Sequence, residues 1–165
     1  MRVAVLRAPA PAFRSGRIEL DDWLARHGLA ATRSGSARVY LAEDQTGVVG
    51  YFALSAGSVD PARAGTRTRS GMPRHPIPVV LLARLAVSEQ AQGRGLGRAL
   101  VEHAALATVK VARLVAVRAL VVDALDEATA RFYARVGMTS NEDNPLWLEI
   151  LVKDLEPLVG DQTGT

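Results

Sequence analysis

The segment from Val79 to Ala124 constrains the fold of this chain more than any other. It opens with "VVLLARLAV", a nearly continuous apolar run. A strand that is apolar on both faces is covered on both faces, as in the middle of a sheet. A glycine-rich turn follows, "SEQAQGRGLGR", and then a long run with helical periodicity. Next comes a second buried strand, "VRALVVDAL". Two strands joined through a helix lie parallel and cross over in the right-handed sense. The chain is therefore read as a mixed α/β domain.

The flanking sequence fills in the rest. "MRVAVLRA" alternates weakly and reads as a first strand. "IELDDWLARHG" reads as a short helix with Ile18, Trp23, Leu24 and Leu29 near one face and Gly28 as its stop. "SARVYLAED" and "GVVGYFALSAGSV" form a hairpin about "EDQTG". The stretch "DPARAGTRTRSGMPRHPIP" reads as a long loop, and such loops are usually functional or mobile. On the helix after the glycines, Arg98, Glu102, Lys110 and Arg113 share one face, and Leu100, Ala104, Ala107, Val111 and Leu114 the other. "DEATARFYARVG" is a helix capped by Asp126 and closed by Gly137. "NEDNP" is a turn and "LWLEILVKDL" a last strand. Residues 1–155 form one domain in this reading, and 156–165 a flexible tail.

Composition limits the chemistry. There is no cysteine, so there is no disulfide framework and no thiolate nucleophile. Three scattered histidines have no metal-ligand spacing, so no metal is expected. No apolar run reaches the roughly 18 residues of a membrane span, and the N-terminus lacks a signal-peptide core. A cytoplasmic protein without a membrane partner is the expectation. Net charge is only +3, but it is segregated: Pro61 to Ser88 holds Arg63, Arg67, Arg69, Arg74 and Arg84 and no acid. That is the footprint of a polyanion partner, or else of a solvated loop.

The glycines suggest what the crossover holds. Gly93, Gly95 and Gly97 let backbone N–H groups converge without Cβ atoms in the way. A helix N-terminus and the charges of Arg94 and Arg98 add to this, and the natural ligand is a phosphate or pyrophosphate. "GRGLGR" is neither a dinucleotide fingerprint nor a Walker A motif. Gln92 to Gly97 does match [Q/R]xxGx[G/A], the coenzyme A pyrophosphate loop of the GNAT N-acetyltransferase superfamily.

The resemblance to a GNAT domain extends over residues 1 to 155. "LARLAVSEQAQGRGLGRALVEHA" looks like the fourth strand, phosphate loop and third helix of that superfamily. "DEATARFYARVGM" looks like its later helix, with Met138 where Phe is more usual. The resemblance implies a central twisted mixed sheet of six or seven strands, splayed between strands 4 and 5, with about four helices. It implies acetyl-coenzyme A as acetyl donor. The pantetheine arm would pair with Leu85, Ala86 and Val87. Gln92, Gly93, Arg94, Gly95, Leu96, Gly97 and Arg98 would surround the pyrophosphate. Asp126 matches a position near the pantetheine where Asn is common.

By the same resemblance Tyr133, in the "FY" of the later helix, carries the general acid that protonates the leaving thiolate. Packing is its alternative role, and packing is expected for Tyr40 and Tyr51. No general base is evident: neither Glu89 nor Glu43 has a spacing argument. An α-amine of pKa about 7.7–8.0 is partly neutral at pH 7, whereas a lysine amine near 10.4 is almost wholly charged. A site without a base therefore favours an α-amine acceptor.

"IELDDWLARHG", "RHPIPVVLLARLAV", "RALVVDALDEATARFY" and "LEILVKDL" together resemble the TacT-type tRNA-acetylating toxins. These acetylate the α-amine of aminoacyl-tRNA, stop translation, and are neutralised by a ribbon-helix-helix antitoxin. The family often has a Cys before the first helix, where this chain has Ser15. Arg63, Arg67, Arg69, Arg74 and Arg84 would then be tRNA contacts. The resemblance leaves a homodimer open. The alternatives are acetylation of a small amine or of a peptide N-terminus, or an inactive domain that only binds coenzyme A or a protein.

Overall fold

The computed structural model describes residues 1–159. Seven strands form one mixed sheet in the order β1-β2-β3-β4-β5-β7-β6. They are β1 (Arg2–Val5), β2 (Arg38–Asp44), β3 (Gly47–Val59), β4 (Ile77–Val87), β5 (Ala119–Asp123), β6 (Thr139–Ser140) and β7 (Trp147–Leu151). β4 and β5 are parallel, and the neighbouring pairs β1·β2, β2·β3, β5·β7 and β6·β7 are antiparallel. The parallel ladder runs from Val79↔Ala119 to Leu82↔Val122, while β4 itself continues to Val87. The parallel β4·β5 pair is the crossover expected from the buried strand–glycine–helix–strand order, and the seven-stranded mixed sheet agrees with what the GNAT resemblance implies. The chain comprises two compact units.

The first unit holds Met1–Ser55 and Ala83–Val101. Its core is Leu6, Leu20, Leu24, Val39, Leu41, Tyr51 and Ala86, all buried. The first helix departs from expectation. α1 (Ile18–Trp23) passes through a π turn, Leu24–Gly28, directly into α2 (Leu29–Ser34). Gly28 is not a stop: its backbone is helical, and a Cβ there would lie 3.2 Å from Leu24 and 3.3 Å from Leu6. It is a glycine because the helix packs closely on its neighbours. The stop is Gly35, in the left-handed conformation that only glycine adopts readily. Ile18, placed on the apolar face by periodicity, is exposed, and Leu20 and Leu24 are inside. Ile18 lies on the opposite side of the first turn from Leu20, while Trp23, Leu24 and Leu29 pack in or against the core as expected.

The second unit holds Ala56–Leu82 and the residues from Glu102 on. Val59, Ala64, Ile77, Val79, Ala119, Val121 and Leu151 form its core. α5 (Glu127–Arg135) begins at Asp126, whose Oδ1 accepts the Thr129 N–H at 2.8 Å, and Gly137 follows its end at φ 109°. α6 (Val152–Val159) continues straight from β7. The expected domain boundary at 155 falls inside this helix, and 160–165 lie outside the described residues.

α4 (Leu96–Ala112) is the crossover helix. Its buried stripe is Leu100, Val101, Ala104, Ala105, Thr108 and Val109. Val111 and Leu114, expected inside, are exposed, Leu114 by 86%. The buried Thr108 hydroxyl bonds back to the Ala104 carbonyl at 2.8 Å, so its polarity is satisfied within the helix. No helix among the described residues is long and apolar enough to cross a membrane.

Candidate active site

In the first unit, β4 delivers the chain into the glycine loop. Gly93 and Gly95 sit at φ 81° and 77° with open space where a Cβ would be. Only the backbone conformation requires glycine there. Gly97 lies within α4 and has no positive φ. The first intrahelical bond runs from the Ala99 N–H to the Gly95 carbonyl at 3.1 Å. The N–H groups of Leu96 and Gly97 precede it and have no intrahelical acceptor. A 17-residue helix with such N–H groups, two left-handed glycines and exposed Arg94 and Arg98 is a donor set for phosphate oxygens.

The Gln92 side chain is engaged within the protein. Its amide donates to the Ser15 carbonyl at 2.8 Å and to the Val87 carbonyl at 3.0 Å. It ties the segment before α1 to the end of β4. The Glu89 N–H donates to the Arg14 carbonyl at 2.9 Å, a second tie to the same segment. Ser15 is buried and donates its hydroxyl to Asp21 at 2.6 Å, while its own N–H also bonds that carboxylate. Ser15 thus anchors the first turn of α1. Gly50, unremarked in the sequence, is forced: a Cβ there would lie 2.9 Å from both the Ala86 carbonyl and Leu100.

Leu85 and Val87 are half-buried and Ala86 is buried. Arg84, the charged residue of the apolar strand, lies 5.1 Å over the Trp23 ring. Trp23 stacks on Tyr51, and the Tyr51 hydroxyl donates to the Leu20 carbonyl at 2.6 Å. Tyr51 is a packing residue, and Tyr40 stacks on Phe52 at 4.8 Å.

In the second unit, Tyr133 projects from α5 and is 4% exposed. Burial pushes its hydroxyl well above the usual tyrosine range. A phenol in that setting stays protonated at neutral pH. Asp126 is engaged as the α5 cap.

The arginine stretch is not the structureless loop its composition suggested. It contains a short helix, α3 (Thr66–Arg69), held at one end by a side chain of β7 and at the other by one just before β5. At one end the Glu149 carboxylate accepts from the Gly65 N–H at 3.0 Å, the Thr68 hydroxyl and the Trp147 indole N–H at 2.8 Å. A Cβ at Gly65 would lie 2.7 Å from the Glu149 carboxylate and would displace it from its partners. At the other end Arg118 donates to the carbonyls of Thr68, Arg67 and Ser70 at 3.0, 3.1 and 2.9 Å. Glu149 and Arg118 were missed from sequence. The one available signal for Glu149 was a lone acid in the apolar run "LWLEILV".

Of the arginines themselves, Arg63, Arg67, Arg69 and Arg74 are exposed. Arg67 pairs with Asp154 at 2.8 Å, and Arg69 donates to the Ala64 carbonyl at 3.2 Å. The stretch is free of acid along the chain but not in space. A cavity of about 310 Å³ adjoins it, lined by Thr66, Arg69, Ser140, Asn141, Asp143 and Asp154 among others.

Residues 35–137 match the family model for the acetyltransferase (GNAT) domain. The chain belongs to the GNAT acetyltransferase family. It is 40% identical over 149 residues to a tRNA-acetylating toxin of Mycobacterium tuberculosis, covering 90% of this chain and 89% of the relative. Its GNAT domain is similar to AtaT complexed with acetyl-methionyl-tRNAfMet, with TM-score 0.84, 25% identity, and 96% and 99% of the two chains covered. It is also similar to a tyrosine-to-phenylalanine AtaT toxin bound to the C-terminus of the antitoxin AtaR and acetyl-CoA. There the TM-score is 0.80, the identity 26%, and the coverage 95% and 96%.

Proposed function

We propose that this chain is an acetyl-coenzyme A-dependent N-acetyltransferase that acetylates the α-amine of aminoacyl-tRNA and so blocks translation, as the toxin of a toxin–antitoxin pair. The observation that carries this reading is the 40% identity to a tRNA-acetylating toxin over nine-tenths of the chain. The similarity to AtaT bound to an antitoxin supports a protein antitoxin as partner, here of the ribbon-helix-helix type.

The glycine loop fits the pyrophosphate of coenzyme A, because its N–H groups and arginines form an anion-binding donor set. Gly93, Arg94, Gly95, Leu96, Gly97 and Arg98 would hold it, and Leu85, Ala86 and Val87 would offer backbone groups to the pantetheine arm. Gln92 would act by fixing the loop rather than by touching phosphate. When bound, acetyl-coenzyme A supplies the acetyl group as a thioester. The neutral amine would displace the thiolate at the acetyl carbon: the C–N bond forms as the C–S bond breaks. Tyr133 would give its hydroxyl proton to the departing sulfur, and the proton shed by the amine nitrogen would restore the phenol. Burial keeps the phenol neutral, so the proton is present at neutral pH, while the same burial makes it a weaker donor. The acceptor amine needs no dedicated base, because an α-amine is partly neutral near pH 7.

The test is acetylation of charged tRNA with labelled acetyl-coenzyme A, alongside growth of a bacterial host expressing the chain. Label on the aminoacyl group and growth arrest are expected from the wild type. Tyr133→Phe should lower kcat by about 10²- to 10⁴-fold and relieve the arrest. Label on lysine peptides at equal rates would overturn the reading. In a pH series, kcat/KM should rise through the acceptor amine's pKa of about 8. Burial raises the Tyr133 pKa, so no descending limb should appear before its ordinary value near 10.

A further inference from the structure

Arg84 stands at a costly place in β4. Its neighbours along the strand, Leu82, Ala83, Leu85 and Ala86, are all apolar. Its Nε is sealed from solvent and has no hydrogen-bond partner. A shielded N–H on a cation that bonds nothing opposes folding, and such groups in native proteins call for an explanation. Trp23 offsets part of this through its ring face, 5.1 Å from the guanidinium carbon. That contact also fixes the guanidinium. Trp23 is stacked on Tyr51, Phe13 meets Tyr51 edge-on at 5.6 Å, and the Tyr51 hydroxyl is tied to Leu20. A chain of rings therefore holds a planar, fork-shaped donor in one orientation: Nε is shut away, and it is the outer Nη groups, which bond nothing among the described residues, that an incoming oxygen can meet.

The coenzyme's phosphates are not the missing partner. About 10 Å of strand separates Arg84 from Val87 before the loop begins, and the loop has its own arginines, Arg94 and Arg98. Arg84 precedes by one residue the segment Leu85–Val87 proposed for the reactive arm, so the acceptor must approach this stretch of β4.

We propose that Arg84 is a specificity residue for the acceptor: its guanidinium, held against Trp23, receives an oxygen at the aminoacyl end of the tRNA. That oxygen belongs either to the ester carbonyl or to the phosphodiester of the terminal nucleoside. Both present the acceptor oxygen that a guanidinium fork matches. The proposal rests on aminoacyl-tRNA being the substrate.

The test compares the full-length wild type with Arg84→Met and Arg84→Lys, by steady-state kinetics and thermal melting. Arg84→Met should lower kcat/KM for charged tRNA roughly 10- to 100-fold, the loss of a hydrogen bond to a charged group. The KM for acetyl-coenzyme A should stay within about twofold. Its Tm should equal or exceed that of the wild type, because an unsatisfied cation has been replaced by an apolar chain of similar size. Arg84→Lys should recover little, since it lacks the fork. Repeating the kinetics on an aminoacyl-adenosine ester, which has no phosphate, separates the two sources. A defect that persists assigns the ester carbonyl, and one that disappears assigns the phosphodiester. An Arg84→Met chain that keeps its kcat/KM for charged tRNA overturns the proposal. So does one that loses acetyl-coenzyme A affinity instead, or one that melts lower or fails to fold. A wild type that leaves charged tRNA unlabelled overturns the functional reading itself, and this proposal with it.

Discussion

The glycine loop and the arginine stretch are both proposed to meet anions, yet they are built in opposite ways. The loop makes its shape locally: two glycines at positive φ and a helix N-terminus lie within a few residues of one another. The arginine stretch gets its shape from afar. Its α3 turn is held by Glu149, 84 residues from Gly65, and by Arg118, 50 residues from Thr68. A backbone-coded site breaks when a backbone conformation is denied. A clamped site breaks when a residue outside it is removed.

That contrast can be broken most directly at Gly95. Gly95→Val forces a β-branched residue into left-handed backbone and costs about 1–3 kcal/mol in local strain. The KM for acetyl-coenzyme A should rise by at least about tenfold, with tRNA affinity unchanged in a binding assay. Glu149→Ala tests the other region. It strands the Gly65 N–H, the Thr68 hydroxyl and the Trp147 indole and should cost about 2–4 kcal/mol of stability. Assayed below its reduced Tm, this variant should show weaker tRNA binding and an unaltered KM for acetyl-coenzyme A. If both substitutions shift the same constant, the two regions do not serve separate ligands.

Smaller effects sharpen the picture. Arg67→Ala with Arg69→Ala should flatten the slope of log K against log salt for tRNA by roughly one unit for each phosphate no longer neutralised. Asp154→Asn frees Arg67 from an exposed pair worth about 0.2–1 kcal/mol, and tRNA binding should tighten by no more than that. Weaker binding in Asp154→Asn would mean that the pair orients Arg67 rather than competes for it.

The difference between the two regions also explains what could be read from the sequence. The β4–loop–α4–β5 order, the hairpin, the α5 cap and the glycine motif were legible, because each is fixed by neighbours along the chain. The π turn was not, since nothing near Gly28 distinguishes a closely packed glycine from a terminal one. The clamps on α3 were equally hidden: "TRTR" and "LEIL" carry no sign that they meet. Gln92 illustrates a third case, in which the motif was recognised but its side chain bonds Ser15 and Val87 as a structural tie. Arg84 was noticed for its charge, whereas its significance lies in the bond it lacks.

The three carbonyls gathered by Arg118 have a kinetic consequence. A segment already fixed before its partner arrives has no ordering step to complete on binding. Capture of tRNA should then proceed at an encounter-limited rate that falls steeply with ionic strength. Arg118→Ala, by releasing Arg67, Thr68 and Ser70, should convert that single fast phase into a slower, less salt-sensitive one.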